Sequence, residues 1–318
     1  MPLLEHKMLN RKFLLAASAC MAAALSSSPL RAQDQAELAA KRDQKLESEF
    51  LKFADWITDF AEARAVAAET GKPIFAYFTR SYAPCPPCAA LEKGPLSEEL
   101  FKYFGQDVVL FCHITSHVEG DEDQDLLRQK GGSAFPYVAF LDAAGNVIAK
   151  PKERTVDAFH DAVEQDVTAY FDLVASAEGG DKGAAAQLFE KRVEYGHFED
   201  FDAARVEMAS HESLSPARRA RLEQALVEQE FNRILGTVRG EAEAAAGGAK
   251  TLPMLEKGRI PKDQGLAFYY WAFLAQHAAG AGNADLLGRC IEELGSHSRA
   301  RPLLPRLQKA YEQLRKQG

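Results

Sequence analysis

Cys85-Pro86-Pro87-Cys88 is the stretch of this sequence whose residue types and spacing can do chemistry. Two cysteines three positions apart on the first turn of a helix can close a disulfide, with the first sulfur exposed and the second beneath it. Unpaired amides and the positive potential at a helix N-terminus favour thiolate over thiol, which makes Cys85 the expected nucleophile. It would attack a substrate disulfide, and Cys88 would resolve the mixed disulfide by displacing the substrate thiol. Pro86 and Pro87 lack amide hydrogens, so Cys85 accepts fewer backbone hydrogen bonds than it could beside Gly or His. A moderately stabilised thiolate favours reductase or isomerase duty over strong oxidant duty, because stabilising the reduced form is what makes a pair oxidising. The competing reading of the pair is an inert structural disulfide.

The elements around the pair read as β/α. Asp59 to Thr70 has apolar residues at Phe60, Ala63, Val66 and Ala67, a helical period closed by Gly71 and Pro73, and Ile74 to Phe78 reads as a buried strand. Beyond Cys88, a helix through Ala89 and Leu91 is interrupted at Gly94-Pro95 and is expected to restart with Ser97 as its cap. Val108 to Ile114 reads as a second strand, His117 to Asp125 as an acidic loop and Leu126 to Lys130 as a short helix. Tyr137 to Leu141 and Val147 to Ala149 form a hairpin across Asp142 to Asn146, and Thr155 to Ala175 is one long amphipathic helix. Residues 178–318 lack a convincing strand and are punctuated by Gly, Pro and His into helical pieces, an all-α helical-hairpin domain. One hairpin joins Leu188–Tyr195 to Phe201–Met208 and another joins Phe268–Phe273 to Leu286–Leu294. Their residue pattern resembles tetratricopeptide hairpins, but no 34-residue period relates them.

The N-terminus carries Lys7, Arg11 and Lys12, an apolar run from Phe13 to Leu25, and a Ser-rich break with Pro29, ending at Ala32. That anatomy is a secretory signal peptide over residues 1–32, cleaved after Ala32, with Met1 or Met8 as the start. The run is shorter than the roughly 20 residues that span a bilayer, so no membrane span is expected. A lipoprotein reading would use Cys20, but the usual Leu is missing ahead of it. Residues 33–49 form a polar helical lead-in to which no function is assigned. The chain has 38 Lys plus Arg against 46 Asp plus Glu, a net charge of −8 that becomes −11 after cleavage. No basic run could neutralise a phosphate backbone, so nucleic acid is not an expected partner.

Trp56, the Glu69-Thr70-Gly71-Lys72-Pro73-Ile74-Phe75 entry, the Cys-x-x-Cys turn and Phe135-Pro136 together resemble a thioredoxin-fold oxidoreductase. The resemblance covers roughly Phe53 to Ala175, within an α/β thioredoxin-like domain at residues 50–177. It implies a central sheet flanked by helices, Cys85 and Cys88 as catalytic residues, and a cis Pro136 beside them. It also implies that Phe135 offers backbone hydrogen bonds to an extended substrate peptide. Two departures stand out. Ser81-Tyr82-Ala83-Pro84 replaces the family's usual Trp before the pair, and the strand Phe75 to Thr79 lacks the buried acid that often takes the proton of the second cysteine. Glu92, one turn beyond Cys88, is in position to substitute, although a solvated helix glutamate is the weightier expectation.

No dinucleotide or flavin fingerprint is present, so no cofactor is expected, and electrons would pass to or from a redox partner protein while protein thiols or disulfides serve as clients. A metal site would have to recruit Cys85, Cys88, Cys112 and His113 or His117, without a second cysteine pair at finger spacing; none is expected. Cys112 and Cys290 read as small buried residues, with pairing between them left open. His113 reads as a satisfied core histidine, and Phe268 to Phe273 as helical core. The expected function is thiol-disulfide exchange on exported proteins in the periplasm or outside the cell, with protein contacts made by the helical domain. The alternative is a periplasmic protein-binding scaffold with a non-catalytic thioredoxin-like domain.

Overall fold

A computed structural model describes residues 29–317. The expected signal peptide and Cys20 lie outside the described residues, apart from positions 29–32 at the start of the first helix. That helix, α1 (Pro29–Leu46), is followed by α2 (Glu49–Phe53), α3 (Phe60–Thr70), β1 (Ile74–Arg80), α4 (Pro86–Lys93) and α5 (Glu99–Phe104). Next come β2 (Val109–Thr115), α6 (Leu126–Gln129), β3 (Tyr137–Leu141), β4 (Val147–Ala149), α7 (Val156–Asp161) and α8 (Thr168–Glu178).

The strands form a mixed sheet in the order β2-β1-β3-β4, with β1 parallel to β2 and antiparallel to β3. Alternate residues of β1 enter different cores. Phe75 and Tyr77 pack with Phe101, Phe104, Phe159 and Tyr170 on one face, whereas Ile74, Ala76 and Phe78 pack with Ala63, Ala67 and Leu126 on the other. Because side chains alternate with period two, a strand covered on both sides must be apolar at every position, hence the unbroken run Ile74 to Phe78. At the β3–β4 turn, Gly145 has φ 84°, and a Cβ there would sit 2.8 Å from the Phe60 ring, so two constraints select glycine.

Two local expectations are corrected. Ser97 does not cap a helix: the chain makes a 3-10 turn at Pro95–Ser97, α5 starts beyond Glu98, and the Ser97 hydroxyl turns back to donate to Glu92 O at 2.6 Å. The long helix after Thr155 is capped there by the Thr155 side chain, but it passes through a π segment at Ala162–Val167 before α8. There the Thr168 hydroxyl donates to Val163 O, so a side chain supports the wider turn.

The rest is helical: α9 (Lys182–Tyr195), α10 (Phe201–Ser210), α11 (Pro216–Leu235), α12 (Glu241–Glu256), α13 (Gln264–Gly280), α14 (Ala284–Gly295) and α15 (Leu304–Gln317). Leu222 and Leu226 of α11 join the α9–α10 core, while its Val227 and Phe231 join that of α13 and α14, so one helix ties the two clusters. The Gly247-Gly248 pair and Pro253 do not break the chain as punctuation would suggest; they lie inside α12. A Cβ on Gly248 would fall 2.1 Å from Phe273 O, so the glycine is what lets α12 lie against the α13 backbone, and that packing offsets its poor helix propensity. Phe268, Tyr270, Trp271 and Phe273 are buried core residues of α13, whereas Tyr269 in the same run is 40% exposed.

One buried and one half-buried histidine link this architecture to pH. His113 lies in β2 against the Phe78 and Phe111 rings, and burial lowers its pKa. His197, after α9, donates Nε2–H to Val147 O on the edge strand at 2.5 Å, and burial lowers its pKa as well. A depressed folded-state pKa means that the unfolded chain binds protons first, so the stability these rings contribute is complete above the ordinary histidine pKa of about 6.5 and is lost as pH falls below it. The urea midpoint is therefore expected to drop on acidification from neutrality. His197→Asn should flatten that drop, and an unchanged slope would show that His197 does not take part.

Candidate functional site

The site forms where β1 delivers the chain to α4. Cys85 is the N-cap residue of α4, with Pro86 and Pro87 on its first turn, where missing amide hydrogens cost nothing because those amides have no intrahelical partner. Cys85 and Cys88 are joined as a disulfide, with their Cα atoms 5.2 Å apart. The two differ in access: Cys85 is half-buried, whereas Cys88 is 1% exposed. The Cys88 N–H, the first amide that the prolines leave available, points at Cys85 Sγ across 3.3 Å.

Phe135-Pro136 is a cis peptide bond. The register pairs Phe78 with Tyr137, so Pro136 lies beside the end of β1 that leads to Cys85. Arg154 donates to Pro136 O at 3.1 Å, and the Arg80 guanidinium lies 5.9 Å over the Phe135 ring while donating to Pro84 O at 2.6 Å.

Glu92 is buried, not solvated. Cys88 and Glu92 are both buried on α4 and four residues apart, hence on the same face one turn from each other. Oε1 of Glu92 accepts from Tyr77 Oη at 2.7 Å, Thr79 Oγ1 at 3.0 Å and Lys45 Nζ at 2.5 Å; among the described residues Oε2 accepts only from Lys45, at 2.6 Å. Burial and the Glu92 charge push the Tyr77 phenol far up, so it stays a hydrogen-bond donor. The lysine comes from α1, the lead-in to which the sequence assigned no function. Nothing local in the sequence pairs Lys45 with Glu92, since the contact depends on how α1 docks.

Of the residues weighed for a metal, Cys85 and Cys88 are tied together as a disulfide, while Cys112 and His113 are separated by the sheet. Cys112 belongs to the core that holds Tyr77, and His113 turns to the opposite face of the sheet. Cys112 and Cys290 are buried free thiols, not a pair, and burial raises both, the Cys290 thiol to about 12. Neither is poised for exchange.

A family model described as thioredoxin-like matches residues 55–143, a span that holds the cysteine pair, Glu92 and the cis proline. This region is thioredoxin-like. Lys45, Arg154 and all helices from α7 onward lie outside the matched span, and the lysine that meets Glu92 is part-buried. A solved chain named DsbH oxidoreductase is similar at 21% identity over 35% of this chain and 83% of that chain, with a TM-score of 0.30. No curated protein matches the chain. Among the described residues, no helix is long and apolar enough to cross a membrane.

Proposed function

We propose that the chain is a thiol-disulfide oxidoreductase of exported proteins, working through Cys85 and Cys88 of its thioredoxin-like region. The observation that carries this reading is the graded access of the pair at a helix N-terminus: one sulfur within reach, its partner buried beneath. In the reducing direction the Cys85 thiolate attacks one sulfur of a client disulfide, the Cys85–client bond forms, and the other client sulfur leaves as a thiolate that takes a proton from water. Cys88 then gives its proton to Glu92, whose Oε2 carries the fewer hydrogen bonds, and attacks Cys85 Sγ. The client thiol leaves, two electrons have passed to it, and the closed pair awaits reduction by a partner protein.

Phe135 and Pro136 present the backbone against which the client chain lies. The prolines at 86 and 87 withhold amides from Cys85 and so favour reduction or isomerisation over strong oxidation. The expected signal peptide supports a periplasmic or secreted location, and helices α9 to α15 supply surface for a client or a redox partner. Cys88→Ser tests the reading, because without its resolving thiol the protein should accumulate as mixed disulfides on non-reducing gels of cell envelopes. Capture of no client, with cellular function intact in the variant, would leave a scaffold in its place.

A further inference from the structure

The approach to Cys85 carries a flat wall. The Tyr82 and His117 rings stack 4.0 Å apart and 9° from parallel. Arg80 lies 5.4 Å over Tyr82, and Tyr82 meets Phe135 edge-on at 6.5 Å. Together with the Arg80 bond to Pro84 O, these contacts run without a gap from the residue before Cys85 to the residue before the cis proline.

His117 is exposed and sits at φ 61°, in a left-handed region that non-glycine residues adopt uncommonly. Its surroundings include α1. The His117 N–H donates to Gln124 Oε1 at 2.9 Å, while Gln35 of α1 donates to His117 O at 3.4 Å and accepts from the Glu119 N–H at 2.8 Å. Two turns further along the same helix, Arg42 bonds Asp121 Oδ1 at 2.5 Å, and Asp121 Oδ2 accepts from Ser116 Oγ at 2.5 Å. The helix thus holds the loop directly at His117, Glu119 and Asp121, and Ser116 through Asp121.

We infer that the Tyr82–His117 stack is a wall of the client groove, against which an extended polypeptide lies while its disulfide reaches Cys85, and that Gln35 and Arg42 are positioning residues for that wall. The inference rests on Cys85 being the nucleophile. It adds that affinity for a polypeptide is set partly by a helix outside the thioredoxin-like match. A small disulfide needs Cys85 alone; a chain spanning Phe135 also meets the planar rings, which bury area against varied side chains.

The test uses the reduced full chain in single turnovers with two disulfides: a synthetic extended peptide joined through one cysteine to glutathione, and oxidised glutathione. With the peptide, Cys85 takes the peptide sulfur and releases glutathione thiol; Cys88 then frees the peptide thiol and closes the pair. Two variants are compared with wild type. One combines Gln35→Ala with Arg42→Ala, and the other is His117→Gly, which removes the ring while relieving the backbone at φ 61° and so preserves the fold. Each should raise the half-saturating peptide concentration about tenfold, move the maximal rate less than about twofold, and lose most of the wild-type preference for peptide over oxidised glutathione. Unchanged half-saturation in either variant overturns the inference, as does an equal loss with both substrates. If wild type exchanges with neither disulfide, the Cys85 reading itself fails and this one with it, an outcome visible before any variant is compared.

Discussion

Cys85→Ser is expected to lower disulfide exchange at least about a thousandfold, measured as release of thiol from oxidised glutathione or a peptide disulfide. The hydroxyl that replaces the thiol is not ionised near neutrality and cannot form the mixed disulfide, so no alternative route through the site remains. Cys88 cannot take over, because it is 1% exposed and lies beneath its neighbour. The variant also loses the cross-link between positions three apart, and closing so short a loop contributes about 2 kcal/mol on chain-entropy grounds. A modest fall in the urea midpoint of the oxidised protein should therefore accompany the loss of activity. Exchange within tenfold of wild type would remove the redox reading and leave the thioredoxin-like region as a docking module.

Lys45→Met should destabilise the protein by about 3 kcal/mol, the scale for removing one partner of a buried ion pair. Only 16% of the Lys45 side chain and 11% of the Glu92 side chain are exposed, so water does little to compensate a carboxylate left with the Tyr77 and Thr79 hydroxyls. Combining Lys45→Met with Glu92→Leu removes both charges and should recover part of that loss: apolar replacement of an entire buried pair is often near neutral, but here it also leaves the Tyr77 and Thr79 hydroxyls without their acceptor. The coupling between the two sites should accordingly be about 1–3 kcal/mol, read from urea unfolding of the four proteins. Additive single effects would show that Lys45 and Glu92 do not act as a pair. In the folded double variant the first attack by Cys85 should proceed while the mixed disulfide persists, because Cys88 has lost its proton acceptor; resolution at the wild-type rate would take that role from Glu92.

Much of the scaffold was legible in the sequence because its signals are local. The run Ile74 to Phe78, the turn at Gly145, the helix start at Thr155 and the cysteine pair at the start of a helix each act within a few residues. The Phe135-Pro136 cis bond was reached through the family resemblance, since its residues alone do not distinguish cis from trans. Glu92 was seen as a position but weighed as solvated, because its burial depends on α1 closing over the face that also holds Tyr77 and Thr79.

What the sequence by itself determined is the chemistry on offer: a half-hidden thiol pair at the start of a helix, two prolines that thin its amide bonds, and strands apolar enough to be covered on both sides. Tertiary structure alone decided which polar groups surround that pair. Lys45 meets Glu92, and Gln35 and Arg42 meet the His117 loop, only because α1 packs along the site. Periodicity records which face of an element is buried and carries no information about which distant element will bury it, so contacts between residues far apart in the chain appear only when the elements are packed.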